Sequence, residues 1–101
     1  MTKHAAITMD NHRVILTGAL CFSNVMLIYK KSLLYFKQTP ELEIDFSQLK
    51  SCDSSGLALI FEWLRWAKRH QRAIRFTALP SELQSIAYAA RVNQVLQPFL
   101  S

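Results

Sequence analysis

The chain predicts an α/β fold in two layers, a four-stranded mixed sheet with its helices on one face, as one domain over residues 1–101. Three observations carry this. Half of the 101 residues are apolar, which suffices for one core near the small end of self-sufficient domains. An opening pair of strands gives way to segments that switch between period 2 and helical period, and strands separated by a helix imply parallel pairing by crossover. The strands alternate cleanly, whereas strands covered on both faces would read as unbroken apolar runs.

Ala6 to Met9 and Arg13 to Thr17 read as short strands joined through the polar Asp10-Asn11-His12, a hairpin turn. Ser23 is placed to cap a helix through about Gln38, with Met26, Tyr29, Leu33 and Phe36 at helical spacing and Pro40 beyond its end. Leu42, Ile44 and Phe46 then alternate with Glu43, Asp45 and Ser47, the mark of a half-buried strand. From Ser54 to about Gln71 the chain reads as a helix, its apolar period starting at Leu57, and Ala73 to Leu79 is the fourth strand. Pro80 suits a first helical position and opens a last helix through about Arg91, with Leu83, Ile86, Ala87 and Ala90 on one stripe. The tail from Val95 to Leu100 is expected to pack back on the core.

The net charge of +5 suits an acidic partner, a nucleic acid or an anionic membrane surface, and charge alone does not choose among them. Arg65, Lys68, Arg69, His70, Arg72 and Arg75 form a basic cluster. RNA-binding folds of this size place aromatic residues on an open sheet, whereas the outward positions here are Glu43, Asp45, Arg75 and Thr77, so no direct nucleic-acid partner is expected. The two cysteines, Cys21 and Cys52, and the histidines His4, His12 and His70 lack ligand spacing, so no metal site is expected. Thr17, Gly18, Ser23 and Asn24 interrupt the apolar stretch from Val14 to Tyr29. Neither a transmembrane segment nor a signal peptide is therefore read, and a cytoplasmic protein is expected. With no Gly-rich phosphate loop, no Gly-x-Ser-x-Gly elbow and no paired carboxylates on one face, no catalytic residue and no cofactor is assigned.

Two features point to a binding surface. Ser51-Cys52-Asp53-Ser54-Ser55-Gly56 joins a strand to a helix with more small polar side chains than a helix cap requires. The helix that follows carries two apolar stripes when each residue is turned by about 100°. Leu57, Ile60, Phe61 and Leu64 are expected to cover the sheet; Leu59, Trp63, Trp66 and His70 face solvent, a neighbouring helix or a partner, where exposed aromatic residues make binding hot spots. The partner-contact set is thus Asp53, Ser54, Ser55, Gly56, Leu59, Trp63 and Trp66.

The order strand, strand, helix, strand, Asp-Ser-Ser-Gly-Leu, helix, strand, helix resembles the STAS domain, the fold of anti-sigma factor antagonists and of sulfate-transporter C-terminal domains. Its most specific part runs from Ile44-Asp45-Phe46-Ser47 through Asp53-Ser54-Ser55-Gly56-Leu57, and the only two glycines, Gly18 and Gly56, fall at family positions. Within the family, Gly56-Leu57-Ala58-Leu59 and Ile86-Ala87 with a basic second helix look most like the MlaB-type STAS subunit of the Mla phospholipid-transport ABC complex. That resemblance implies a non-catalytic cytoplasmic subunit, peripheral to the inner membrane. It would bind the ATPase subunit (MlaF-like), with an inner-membrane permease in the same complex, and serve outer-membrane lipid asymmetry. Ser54 matches the residue phosphorylated in antagonists, and in the Mla-type subunit the matching hydroxyl lies against the ATPase; read from its residues alone it is a helix cap. The chain departs from antagonists where Ala19-Leu20-Cys21 replaces the acids after Gly18 and where Ala58 replaces a second Gly. The alternative implied is an anti-sigma factor antagonist switched by phosphorylation of Ser54.

Overall fold

Two residues in the left-handed region, Asn11 (φ 50°) and His12 (φ 70°), turn the chain between β1 (Ala5–Asp10) and β2 (Arg13–Leu20) in the computed structural model, which describes residues 4–101. Two positive φ values in a two-residue loop match the right-handed twist of a tight hairpin. The register runs from Ala5 opposite Gly18 to Asp10 opposite Arg13. Gly18 lies inside β2 at φ 85°, beside a bulge, where any Cβ would collide with the His4 carbonyl oxygen that accepts the Ala19 N–H at 2.7 Å. Only glycine fits both restrictions.

Helix α1 (Val25–Phe36) crosses to β3 (Glu41–Asp45), which lies parallel to the first half of β2 with Val14 opposite Ile44. The sheet has five strands rather than four. After a break at Phe46-Ser47-Gln48, β4 (Leu49–Cys52) pairs in parallel with the far half of β2, Gly18 opposite Leu49 and Leu20 opposite Cys52. Four residues with apolar side chains only at the two ends carry no period, so this strand is hidden in the sequence. The chain continues through α2 (Ser55–Arg69), β5 (Ala73–Thr77), α3 (Ser81–Ala89) and the short α4 (Asn93–Leu96). β5 is parallel to β3 with Ile44 opposite Phe76, giving the order β1-β2-β3-β5 with β4 also on β2. The tail returns to the sheet, Ser101 donating its N–H to the Phe76 carbonyl at 3.0 Å.

One sheet face is buried through Ile7, Val14, Leu16, Leu42, Ile44, Ile74 and Phe76. On the other, Glu43 sits between Arg13 at 3.8 Å and Arg75 at 3.5 Å, a ladder of opposite charges across three strands. Exposed pairs of this kind add little stability, but they keep a flat face hydrated. The helices lie on the apolar face only.

Helix α2 is the middle helix of that layer, packed on β5, on α1 and on α3. Its buried residues include Gly56, Leu59, Ile60, Trp63 and Ala67, of which Gly56, Ile60, Trp63 and Ala67 fall within about 60° of one another. The two apolar stripes of the sequence are therefore the shoulders of one wide buried face. Its centre is concealed because two of its members, Gly56 and Ala67, are small. Leu59 and Trp63 are core residues, not contact residues. The Trp63 side chain is fully buried against Phe46 and Phe76, and its indole N–H donates to the Ser32 hydroxyl of α1 at 2.8 Å. A buried indole finds such a partner or loses a hydrogen bond.

Candidate functional site

Asp53 organises the corner where β4 turns into α2. Its N–H donates to the Leu20 carbonyl at 3.2 Å, which anchors the loop to the end of β2. Its Oδ1 accepts the Ser55 N–H at 2.9 Å and the Ser55 hydroxyl, while Oδ2 accepts the Phe22 N–H at 3.2 Å. One carboxylate thus satisfies a free donor of the α2 start, places negative charge at the positive end of the helix dipole, and ties down the loop between β2 and α1. The cap is Asp53 rather than Ser54.

Ser54 is consequently left outside. Its backbone is already helical (φ −63°, ψ −17°), its side chain makes no cap bond, and the residue is exposed. Ser55 and Gly56 are buried and serve the packing of the turn. A Cβ on Gly56 would lie 2.5 Å from the Cys52 Sγ and 3.1 Å from a Leu83 methyl, so this glycine lets α2 sit close to both β4 and α3. Burial first, then the Asp53 and Glu82 carboxylates, push the Cys52 thiol up to about 11 against the opposing effect of the Gly56 N–H. A protonated buried thiol is a packing group, not a nucleophile.

The neighbouring loop is equally well held. Asn24 accepts the Cys21 N–H through Oδ1 and donates from Nδ2 to the Ala19 carbonyl, both at 2.9 Å. On this frame Phe22 is 85 % exposed, next in the hydrogen-bond chain to Asp53. Sequence reasoning missed it. The signal was an aromatic residue inside the polar turn Cys21-Phe22-Ser23-Asn24, where no core position was available.

Trp66 belongs elsewhere. It is half-buried in the seam between α2 and α1, with its ring 5.2 Å from Phe36 and stacked at 4.1 Å on His70. The Arg72 guanidinium lies 5.7 Å from the same ring and donates to the Phe36 and Thr39 carbonyls at 2.9 and 2.6 Å, closing the end of α1. The basic cluster of the sequence is accordingly dispersed, with Arg72 in that seam and Arg75 on the open sheet face. Of the seven expected contact residues, Asp53 and Ser54 come together at an exposed corner, Ser55 and Gly56 support it from inside, and Leu59, Trp63 and Trp66 are taken up by packing. Among the described residues no group of three His, Cys, Asp or Glu could hold a metal ion, and no helix is long and apolar enough to cross a membrane.

Fold and corner together define a small domain with an exposed serine at a rigid strand-to-helix turn. A family model described as "Mlab, STAS domain" matches residues 4–98, and the chain belongs to the MlaB-type STAS domain family. No curated protein matches the sequence. Among solved structures it is similar to the anti-sigma factor antagonist SpoIIAA in its unphosphorylated form, with a TM-score of 0.70 at 16 % identity over 97 % of this chain and 86 % of that one. It is similar too to the phosphorylated form of SpoIIAA, described as a Bacillus cell fate determinant, with a TM-score of 0.68 at 16 % identity over 97 % and 89 % of the chains.

Proposed function

We propose that this chain is a non-catalytic accessory subunit that binds and supports the ATPase subunit of an inner-membrane ABC transporter for phospholipids, and so helps maintain outer-membrane lipid asymmetry. In this reading it works in the cytoplasm, peripheral to the inner membrane through a complex that includes the permease. The observation that carries it is the free, exposed Ser54 hydroxyl at the start of α2, presented by Asp53 in a chain of the MlaB-type family. Phe22 supplies the apolar element that a hydrated serine corner lacks, and an exposed aromatic on a rigid loop is suited to enter a pocket of a partner. Co-purification with the ATPase subunit tests this. Ser54→Arg, which puts a long charged side chain into the contact without touching the core, abolishes capture, and Phe22→Ala lowers it at least tenfold, as hot-spot losses do. Capture unchanged by both substitutions rules the corner out.

A second reading is an anti-sigma factor antagonist switched by phosphorylation of Ser54, and the likeness in fold to both forms of SpoIIAA supports considering it. The corner argues against it. A phosphate on Ser54 would stand beside the Asp53 carboxylate that already occupies the helix dipole. Mass spectrometry of the protein taken from cells decides, since a stoichiometric phosphoserine at Ser54 would favour the switch.

A further inference from the structure

Helix α1 leaves an apolar, cationic face uncovered. Its buried residues Val25, Ile28, Ser32 and Phe36 turn one side to the core. Leu27, Lys30, Leu34 and Lys37 lie about opposite, with Met26 and Lys31 at the margins. Three of the six large apolar side chains exposed among the described residues lie on this helix: Met26 at 59 %, Leu27 at 55 % and Leu34 at 62 %. From Phe22 to Pro40 the chain holds three lysines and no Asp or Glu. Among the described residues no carboxylate forms an ion pair with Lys30, Lys31 or Lys37. Alongside, the outward side of α2 adds the exposed Arg65 and Arg69, and its Glu62 is engaged by Arg65 at 3.6 Å.

We infer that this face of α1 rests on an anionic phospholipid bilayer. The charge decides the occupant. A second copy of the chain would bring the same lysines against each other, whereas a bilayer bearing anionic headgroups offers phosphates to every lysine along the helix and an acyl boundary to the leucines between them. Lysine stems are long enough to let Leu27, Leu34 and Met26 dip below the headgroups while the ammonium groups stay at phosphate level. The helix is too short and too charged to span, so it lies in the plane of the interface as one wall of a folded domain. This surface is separate from the Ser54 corner, so loss of ATPase capture and loss of lipid binding are independent outcomes.

Flotation of the intact chain with phosphatidylcholine vesicles, with and without phosphatidylglycerol, tests the inference. Binding is expected only to vesicles that contain phosphatidylglycerol, and it weakens as salt rises. The triple substitution Lys30→Gln, Lys31→Gln, Lys37→Gln lowers partitioning about a hundredfold, at about fivefold per lysine. Leu27→Ser with Leu34→Ser lowers it as well, without changing net charge. A control that removes three positive charges elsewhere, Lys50→Gln, Arg75→Gln and Arg91→Gln, has a much smaller effect, and circular dichroism shows every variant folded. Equal losses in both triple variants would reduce the effect to net charge and overturn the assignment. So would binding that ignores phosphatidylglycerol, or a dimer in solution that disappears with the Leu27 and Leu34 substitutions.

Discussion

Helix α2 is walled on three sides, by the sheet beneath it, by α1 along one flank and by α3 along the other, whereas α1 closes the edge of the layer and keeps its outer face in solvent. The difference shows in what each does with its large side chains. In α2 the bulk goes inward, with Trp63 fully buried and Trp66 half-buried in a seam, and the outward row is Ala58, Arg65 and Arg69. In α1 the inward face includes a serine, Ser32, whose hydroxyl serves Trp63, while Met26, Leu27 and Leu34 face water. A middle helix needs apolar residues over most of its circumference. An edge helix needs them over one narrow stripe, and anything beyond that stripe asks for an occupant.

The largest expected effect breaks the middle helix. Trp63→Ala removes a fully buried ring and takes one donor from the Ser32 hydroxyl, which keeps its bond to the Tyr29 carbonyl, at a cost of about 3–5 kcal/mol. Against a total stability of about 5–15 kcal/mol for ordinary domains this removes much of the margin. Urea denaturation followed by circular dichroism checks it. A loss below about 1 kcal/mol would mean that the ring is not the centre of the core.

Gly56→Ala comes next. The added methyl meets the Cys52 Sγ and the Leu83 side chain, and overpacking of this kind costs about 1–3 kcal/mol. Removing the sulfur tests the cause. The double variant Gly56→Ala, Cys52→Ala should be less destabilised than the sum of the two single changes, because only the Leu83 contact remains.

How far the sequence discloses these helices follows from the same geometry. Period 2 in Leu42, Ile44 and Phe46 and in Ile74 and Phe76 located the parallel strands β3 and β5, because each faces helices on one side only. β4 was invisible because its pairing is owed to β2 and to the break after Phe46, not to its own pattern. For α2, counting large apolar residues yielded two stripes and left Leu59, Trp63 and Trp66 to solvent, a neighbouring helix or a partner, with the partner preferred. The face is centred on Gly56 and Ala67, which such a count passes over. For α1 the case is the mirror image, since Met26 shares its helical spacing with Tyr29, Leu33 and the buried Phe36 and yet is 59 % exposed. The Asp53 to Gly56 corner was legible as more than a cap, but which residue caps could not be read from it. Asp53 and Ser54 are equally good caps in isolation, and it is the tertiary setting of Asp53, tied to Leu20 and Phe22 while it accepts from Ser55, that marks it as the cap.

The pH dependence of stability provides a smaller and more specific probe of the α2 start. Cys52 is raised in the fold from its ordinary value of 9.0 to about 11, so the folded state holds its proton more tightly than the unfolded one. Stability from this group is complete below about pH 9 and is lost as pH rises through about 11, a decline of on the order of 2 kcal/mol by linkage. Wild type should therefore lose stability relative to Cys52→Ala across that window and not below it. Parallel curves for the two proteins between pH 9 and 11 would show that the thiol titrates as it does in the unfolded chain.

The smallest expected effect belongs to the edge helix and sharpens the contrast most. Leu27→Ser and Leu34→Ser change side chains that are more than half exposed, so the transfer free energy they forfeit on folding is slight and the stability change should stay within about 0.5 kcal/mol. A domain that surrendered several kcal/mol for Trp63 but nothing for two leucines one helix away would show that these leucines are not retained for the core. If instead the two serines unfold the domain, α1 packs by its outer face on a segment of this chain. The outer side of the layer would then be a second core rather than a surface.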